Sequence, residues 1–167
     1  TQEIALRVQA DSVLKYRLEL EELLTTISTG FINLPVEEID AGINRALEQL
    51  GAFAGADRGY VFLLSPDRSF YRNSHAWSAE GVGPTPESLL EIDASRFPWW
   101  MGRLEKLERV RVARMKDLPP KVLEKYESFH PQPVQSLALV PLVASGVLTG
   151  FLGFESFRQE NIWGEET

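Results

Sequence analysis

Apolar and small residues recur along the first stretch of the chain in alternating steps of three and four. They are Leu6, Ala10, Val13, Leu20, Leu24, Ile27 and Phe31, with Arg17 the one break in the seam. That is the a/d rhythm of a heptad, free of Pro and of interior Gly, and it predicts one long helix. A single small domain cannot cover so long a helix along all its turns. Its early part is therefore expected to pair with a second copy, as a coiled coil or a bundle. The alternative is one amphipathic helix packed on its own domain. Gly30 and Pro35 bracket the break, and a second helix is predicted over 36–54, with a buried stripe of Ile39, Ile43, Ala46, Leu47, Leu50 and Phe53. Gly51 and Gly55 loosen its end, and Ala56-Asp57-Arg58-Gly59 turns out of it.

The period then changes. Tyr60-Val61-Phe62-Leu63-Leu64 is a compact β-type run closed by Ser65-Pro66-Asp67, and Tyr71 to Trp77 reads as its hairpin partner. Gly81-Val82-Gly83-Pro84-Thr85-Pro86 is loop, and a short strand is expected near Leu89 to Ile92. Pro98 suits the first turn of a helix reaching about Glu108, while Phe97 is held out of helical angles by the proline after it. Arg109 to Ala113 alternates like a strand. Asp117-Leu118-Pro119-Pro120 stops it and starts a short helix carrying Val122, Leu123, Tyr126 and Phe129, which Pro131 and Pro133 end.

Ser136 to Val143 is apolar on both alternating faces and is expected to be a central strand covered on both sides. After Ala144-Ser145-Gly146 the chain returns from Leu148 to Ser156, with Gly150 and Gly153 permitting close packing or a bulge. Trp163-Gly164-Glu165-Glu166 opens a last helix that the end of the sequence cuts off. Hairpin-joined strands separated by helices argue for an α+β fold, an antiparallel sheet with helices against its face.

Composition narrows the functions open to such a fold. The 167 residues suit one domain plus an appendage, and 44% apolar with 25% charged residues is a soluble globular balance. A net charge of −7 and a pI near 4.9 argue against a general nucleic-acid or membrane-surface role. No apolar run approaches the ~20 residues that would span a bilayer. The chain has no cysteine, which excludes disulfides, thiolate catalysis and Cys-ligated metal centres. It opens at Thr1 without a charged-then-apolar leader, so the expectation is a cytoplasmic piece of a longer protein.

Several separated motifs together carry a resemblance. They are Ala56-Asp57-Arg58-Gly59-Tyr60-Val61-Phe62, Phe97-Pro98-Trp99-Trp100, Asp117-Leu118-Pro119, Gln135-Ser136-Leu137-Ala138-Leu139-Val140-Pro141-Leu142 running on to Gly150-Phe151-Leu152-Gly153-Phe154, and the closing Trp163 with Glu165-Glu166. In this order they resemble the GAF sensory domain, in the version common in multidomain bacterial signalling proteins of the histidine-kinase or two-component type. The resemblance implies a PAS-related, six-stranded antiparallel sheet with helices from the two ends of the domain on one face. It places a pocket on the other face, under the loop and mid-helix region. It implies a signalling-helix linker over 1–19, a GAF domain over 20–167, and a truncated last helix leading to an output domain. The chain departs from the family at Pro133-Val134, where a Gly-hydrophobic pair is usual.

The chemistry of the family can be tested against the residues. Methionine-sulfoxide reduction and covalent bilin attachment both need cysteine and are excluded. Cyclic-nucleotide binders carry a spaced Asn-Lys-Phe-Asp-Glu set, and Asn73 stands here without those partners. A cyclic-nucleotide-binding regulatory domain is thus an alternative, as is a PAS-like ligand-binding domain, although the helix before the first strand and the Ser136 to Pro141 motif favour GAF. Only His75 and His130 could serve a metal, and no carboxylate spacing near His75 suggests a triad. No nucleophile is paired with a base, so no catalytic residue is assigned.

A regular strand over 71–77 puts Tyr71, Asn73, His75 and Trp77 on one face. That face suits a pocket wall with polar points, or equally an outward polar face. Phe97 and Trp99 complete the candidate pocket set. In the mid helix, Trp100, Leu104 and Leu107 form one stripe with Met101 beside it, so Trp100 is expected in the core. Trp99 aligns instead with Arg103 and Lys106 on the polar side. Asp57 and Arg58 are expected to form a structural ion pair. The basic run Arg103, Lys106, Arg109, Arg111, Arg114 and Lys116 is expected on the solvated side of a helix and an edge strand. The functional expectation is a non-catalytic sensory module, dimeric through its N-terminal helix, in which an unidentified small molecule or a neighbouring domain biases two arrangements of the paired helices. No metal and no nucleic-acid partner is expected.

Overall fold

The computed structural model describes residues 1–32, 34–128 and 133–158, with the backbone alone at 28, 31 and 32. The expected last helix from Trp163, together with Phe129 and His130, lies outside the described residues. Helix α1 spans Gln2–Ile32 and α2 spans Ile39–Ala54. Strands β1 (Arg58–Leu64) and β2 (Phe70–Ser78) form the first hairpin, and β3 is the short Glu91–Asp93. Helix α3 (Pro98–Glu105), strand β4 (Val110–Val112) and helix α4 (Pro120–Glu127) follow. The hairpin of β5 (Ser136–Ala144) and β6 (Val147–Ser156) completes the described chain.

The six strands make one antiparallel sheet in the order β3-β2-β1-β6-β5-β4. The centre of the sheet is therefore β1 against β6, with Arg58 opposite Glu155 and Phe62 opposite Phe151. This corrects the expectation of a central β5. That strand lies one place from the edge, and its last two residues are exposed. Its doubly apolar pattern reflects an inner half that is covered and an outer end that is not. The basic run falls as expected in part, since β4 is an edge strand and Arg111 at its middle is exposed.

Helix α2 does not loosen at Gly55 but stops there. Gly55 adopts φ 71°, a left-handed conformation that costs glycine little. Its N–H donates to Ala52 O and the N–H of Ala56 donates to Gly51 O, the paired bonds of a Schellman cap. The helix lies on one face of the sheet, burying Leu47 against Phe154 with Leu50, Val61 and Trp77 around them. Gly51 is what lets it lie so close, because a Cβ there would run into the indole of Trp77.

The first helix reaches this layer only by its second half. Tyr16, Leu20, Leu23 and Ile27 are half-buried, and the Tyr16 ring sits 4.9 Å from that of Phe53 on α2. Leu6, Val13 and Leu24 of the heptad seam are exposed, as are Ile4, Leu14 and Leu18. Among the described residues, no helix is long and apolar enough to cross a membrane.

The opposite face of the sheet carries the larger core, built with α3, α4 and the segments around them. Helix α3 ends earlier than its pattern predicts. The N–H of Leu107 donates to Leu104 O and that of Glu108 to Arg103 O, with Leu107 at φ 62°. Leu107 is consequently turned outward, 41% exposed, and leaves the stripe that Trp100, Met101 and Leu104 form in the core.

Candidate functional site

The face of the sheet away from α2 borders a partly open cavity of about 30 Å³. Its floor is Tyr60 and Phe62 of β1, Leu137 and Leu139 of β5, and Phe151 and Glu155 of β6. Its roof is Leu89 and Ile92 before and in β3, Phe97, Trp100 and Met101 at α3, and Tyr126 of α4. About 10–15 Å³ of such space holds one water, so the cavity is sized for two heavy atoms or so.

The roof is locked by ring contacts. Phe97 stacks on Trp100 at 5.1 Å, Tyr126 meets Trp100 edge-on at 5.0 Å, and Phe97 and Tyr126 are 5.8 Å apart. On the floor Phe62 stacks on Phe151 at 4.9 Å. Pro98 fixes the first turn of α3 and thereby the angle at which Phe97 and Trp100 enter this cluster.

Among the described residues, Glu155 is the one charged side chain in this wall, and it is 2% exposed. The hydroxyls of Tyr60 and Tyr126 donate hydrogen bonds to its carboxylate. Burial, and then the Glu155 charge, push both phenols far above their ordinary value, so both remain neutral donors. Behind Tyr60 lies Arg58, also buried. Its guanidinium donates to Tyr60 Oη at 3.5 Å, to Ser78 Oγ at 3.3 Å, and to the carbonyls of Gly83 and Pro84 at 3.5 and 3.2 Å. It also stacks over the Phe157 ring at 4.9 Å. A polar chain thus runs from the 83–84 loop through Arg58 and Tyr60 to Glu155 and Tyr126.

Asp57 and Arg58 do not pair with one another, contrary to expectation. Adjacent residues at the head of a strand point to opposite sides, so each finds its own partner. Asp57 accepts the backbone N–H groups of Phe157 (2.7 Å) and Arg158 (3.0 Å) and the Arg158 guanidinium at 2.8 and 2.5 Å. Burial alone pushes its carboxyl up, but these hydrogen bonds outweigh burial and hold it below the usual carboxylate value.

The candidate pocket set is divided by a β-bulge. Val61 faces His75 and Phe62 faces Asn73, so Ser74 has no opposite number and the strand is not regular. Tyr71 therefore stays on the cavity side, buried and edge-on to Phe151 at 5.0 Å, just behind the cavity wall. His75 and Trp77 emerge on the α2 side. His75 Nε2 is 2.9 Å from Asp40 Oδ1, and Trp77 lies on Gly51. Asn73 spends its amide on the carbonyls of Val61 and His75 at the bulge. The shared face expected for these four residues is thus broken. Phe97 lines the cavity. Trp99 does not: it is half-buried outside the roof, edge-on to Trp100 at 5.8 Å with the Arg103 guanidinium 4.1 Å above its ring. Trp100, expected purely as core, is both core and cavity wall.

Sequence reasoning missed Glu155, Tyr60 and Tyr126. One signal was available. Glu155 is a lone carboxylate closing the run Gly150-Phe151-Leu152-Gly153-Phe154, where a charge at the end of a central strand has to be matched. Among the described residues, no three His, Asp or Glu side chains converge as a metal site would require.

No protein-family pattern matches the chain, and no curated protein matches it. Solved structures do. The fold is similar to the phycocyanobilin-bound GAF domain of a cyanobacterial phytochrome, with a TM-score of 0.69 and 17% identity over 87% of this chain and 84% of that one. It is similar to the GAF domain of a phosphoenolpyruvate-protein phosphotransferase from Coxiella burnetii, with a TM-score of 0.64 and 14% identity over 90% of this chain and 84% of that one. The corresponding domain from Acinetobacter gives a TM-score of 0.63 at 16% identity, over 89% and 82% of the two chains. At these identities the likeness is one of architecture, and on it the chain has the GAF fold.

Proposed function

We propose that the chain is a non-catalytic sensory and regulatory GAF module of a bacterial signal-transduction protein. In this reading a small molecule in the cavity, or pairing of α1 with a second copy, controls a downstream output domain. The observation that carries the reading is the arrangement of two layers about one sheet. A small cavity bordered by the buried Glu155 carboxylate lies on one face, and α2 with the half-covered α1 lies on the other. A ligand acts in such a device only by binding one arrangement of the helices more tightly than the other.

The size of the cavity bears on the ligand. At about 30 Å³ it is far below the ~300–1,000 Å³ of drug-sized pockets, which speaks against a cyclic nucleotide. The lining offers a carboxylate and two neutral phenols without a nucleophile–base pair, which favours binding over catalysis. In this reading residues 1–19 are a linker and the domain runs from residue 20, with Tyr16 of the linker already packed on Phe53 of α2. A soluble, cytoplasmic location and a two-component output fit the same reading.

Sedimentation equilibrium tests the dimer. The chain is expected to be dimeric at micromolar concentration, and Leu6→Glu with Val13→Glu is expected to make it monomeric while leaving its circular dichroism unchanged. A wild-type chain that stays monomeric throughout that range refutes pairing through α1.

A further inference from the structure

Resting on the pairing of α1 proposed above, we infer that two such pairs join into a four-copy helix bundle through a second apolar face of α1, formed by Ile4, Val8, Leu14 and Leu18. Three observations lead there. The first is reach. Residues 1–15 are all exposed, and Tyr16 is the first side chain of α1 to be half-buried. At 1.5 Å per residue, about 20 Å of helix projects from the domain. A lone helix of that length is marginal in water and draws its stability from whatever covers it. The second is the spread of apolar residues around the helix axis. At about 100° per residue, Leu6 and Val13 lie within about 20° of one another, on the heptad seam. Ile4, Val8, Leu14 and Leu18 share a sector about 120° wide, centred about 150° away from that seam. All four are well exposed, Ile4 at 61%, Val8 at 60%, and Leu14 and Leu18 at 55% each.

A pair joined along the seam covers only one side of each helix. The half-buried residues Tyr16, Leu20, Leu23 and Ile27 also point about 150° away from the second sector, so α2 does not cover it either. A helix apolar on two opposite sides belongs inside a bundle and not on its surface. The third observation is charge, and it names the occupant. Arg7, Asp11 and Lys15 are exposed in the same sector, with Glu3 at its margin. When two such faces lie antiparallel with Ile4 over Leu14, Arg7 meets Asp11 and Glu3 meets Lys15, in both directions. A parallel overlay in register sets Arg7 on Arg7 and Asp11 on Asp11 instead. The face therefore fits an antiparallel copy of itself. Such a contact is self-complementary, so it closes at two pairs and does not propagate. The charges that interrupt the stripe keep it from holding single helices, whereas a pair presents two stripes at once and binds through both.

The test is sedimentation velocity with light scattering on the whole 18.8 kDa chain over rising concentration. Above the micromolar range the mass is expected to double, from two chains to four. Leu14→Glu with Leu18→Glu is expected to hold the mass at two chains at every concentration, with unchanged circular dichroism. Arg7→Glu is expected to block the doubling as well, and adding Asp11→Arg to it is expected to restore the doubling, since the exchanged charges again meet across the antiparallel contact. These two charge variants touch nothing in the domain, so they decide the matter even if the double glutamate variant does not fold. A wild-type chain that stays at two copies throughout overturns the four-copy bundle and leaves the pairing of α1 standing. A chain that stays monomeric overturns both. A four-copy species that survives Leu14→Glu with Leu18→Glu overturns this face as the contact, and failure of Asp11→Arg to rescue Arg7→Glu overturns the antiparallel register.

Discussion

Replacing the two adjacent tryptophans one at a time separates a packing role from a surface one. Trp100 is 2% exposed and touches Phe97, Tyr126 and Trp99 through ring contacts of 5.1, 5.0 and 5.8 Å. Truncating it to alanine removes the largest ring of the roof and enlarges a void already there, so neighbouring rings have little to collapse onto. Such truncations cost about 3–5 kcal/mol. For a chain of this size about 2–4 °C of Tm accompanies each kcal/mol, which gives a fall of roughly 6–20 °C. Trp99 is half-buried, and its defined contacts are the edge of Trp100 and the exposed Arg103. A ring pair contributes about 0.5–1.5 kcal/mol and an exposed cation–π contact about 0.5–1, so Trp99→Ala is expected to cost about 1–2 kcal/mol.

The assay is urea unfolding, read as a shift in midpoint at constant slope. The double variant should fall short of additivity, because the two rings touch. If Trp99→Ala destabilises as much as Trp100→Ala, the division of the pair into a core ring and a peripheral ring is wrong.

Two further outcomes follow from the packing and the electrostatics. Gly51→Ala places a methyl group in the indole of Trp77 and is expected to destabilise by about 1–3 kcal/mol despite alanine's better helix propensity; urea unfolding that shows a gain in stability refutes the close approach of α2. The Asp57 carboxyl is held below its ordinary value of 3.8 in the folded chain. Its contribution is therefore complete above that value and is lost as pH falls through it toward the lower folded value, since the unfolded chain takes up the proton first. Asp57→Asn is expected to be less stable than the wild type at neutral pH and to flatten this acid limb in thermal melts from pH 5 to 2; an unchanged acid limb refutes the clamp on Phe157 and Arg158.

The elements were legible in the sequence because their periods differ. The heptad of α1, the stripe of α2 and the two hairpins follow from spacing alone, and the resemblance correctly implied six antiparallel strands. The site was less legible, and for local reasons. One extra residue at Ser74 sends His75 and Trp77 to the α2 side while Tyr71 stays on the other, and no composition signal marks a bulge at a serine. The left-handed turn at Leu107 cuts α3 short of its apolar pattern, at a residue that seldom adopts such angles. Glu155 and Tyr126 meet across 29 positions of sequence and a change of element, and such a pairing is a property of the sheet order and not of either neighbourhood.

The order of the strands also says something about how the molecule comes into being. Strands β1 to β3 are neighbours in sequence, as are β4 to β6, so each half of the sheet can form by short-range pairing. The seam between the halves joins Arg58 to Glu155, and contacts of such separation carry a large loop-closure cost and form slowly. Tyr60 and Phe62 come from one side of that seam, Phe151 and Glu155 from the other. During synthesis the floor of the cavity does not exist until nearly the whole described chain has been made. That floor is thus assembled last, as the two halves of the sheet join.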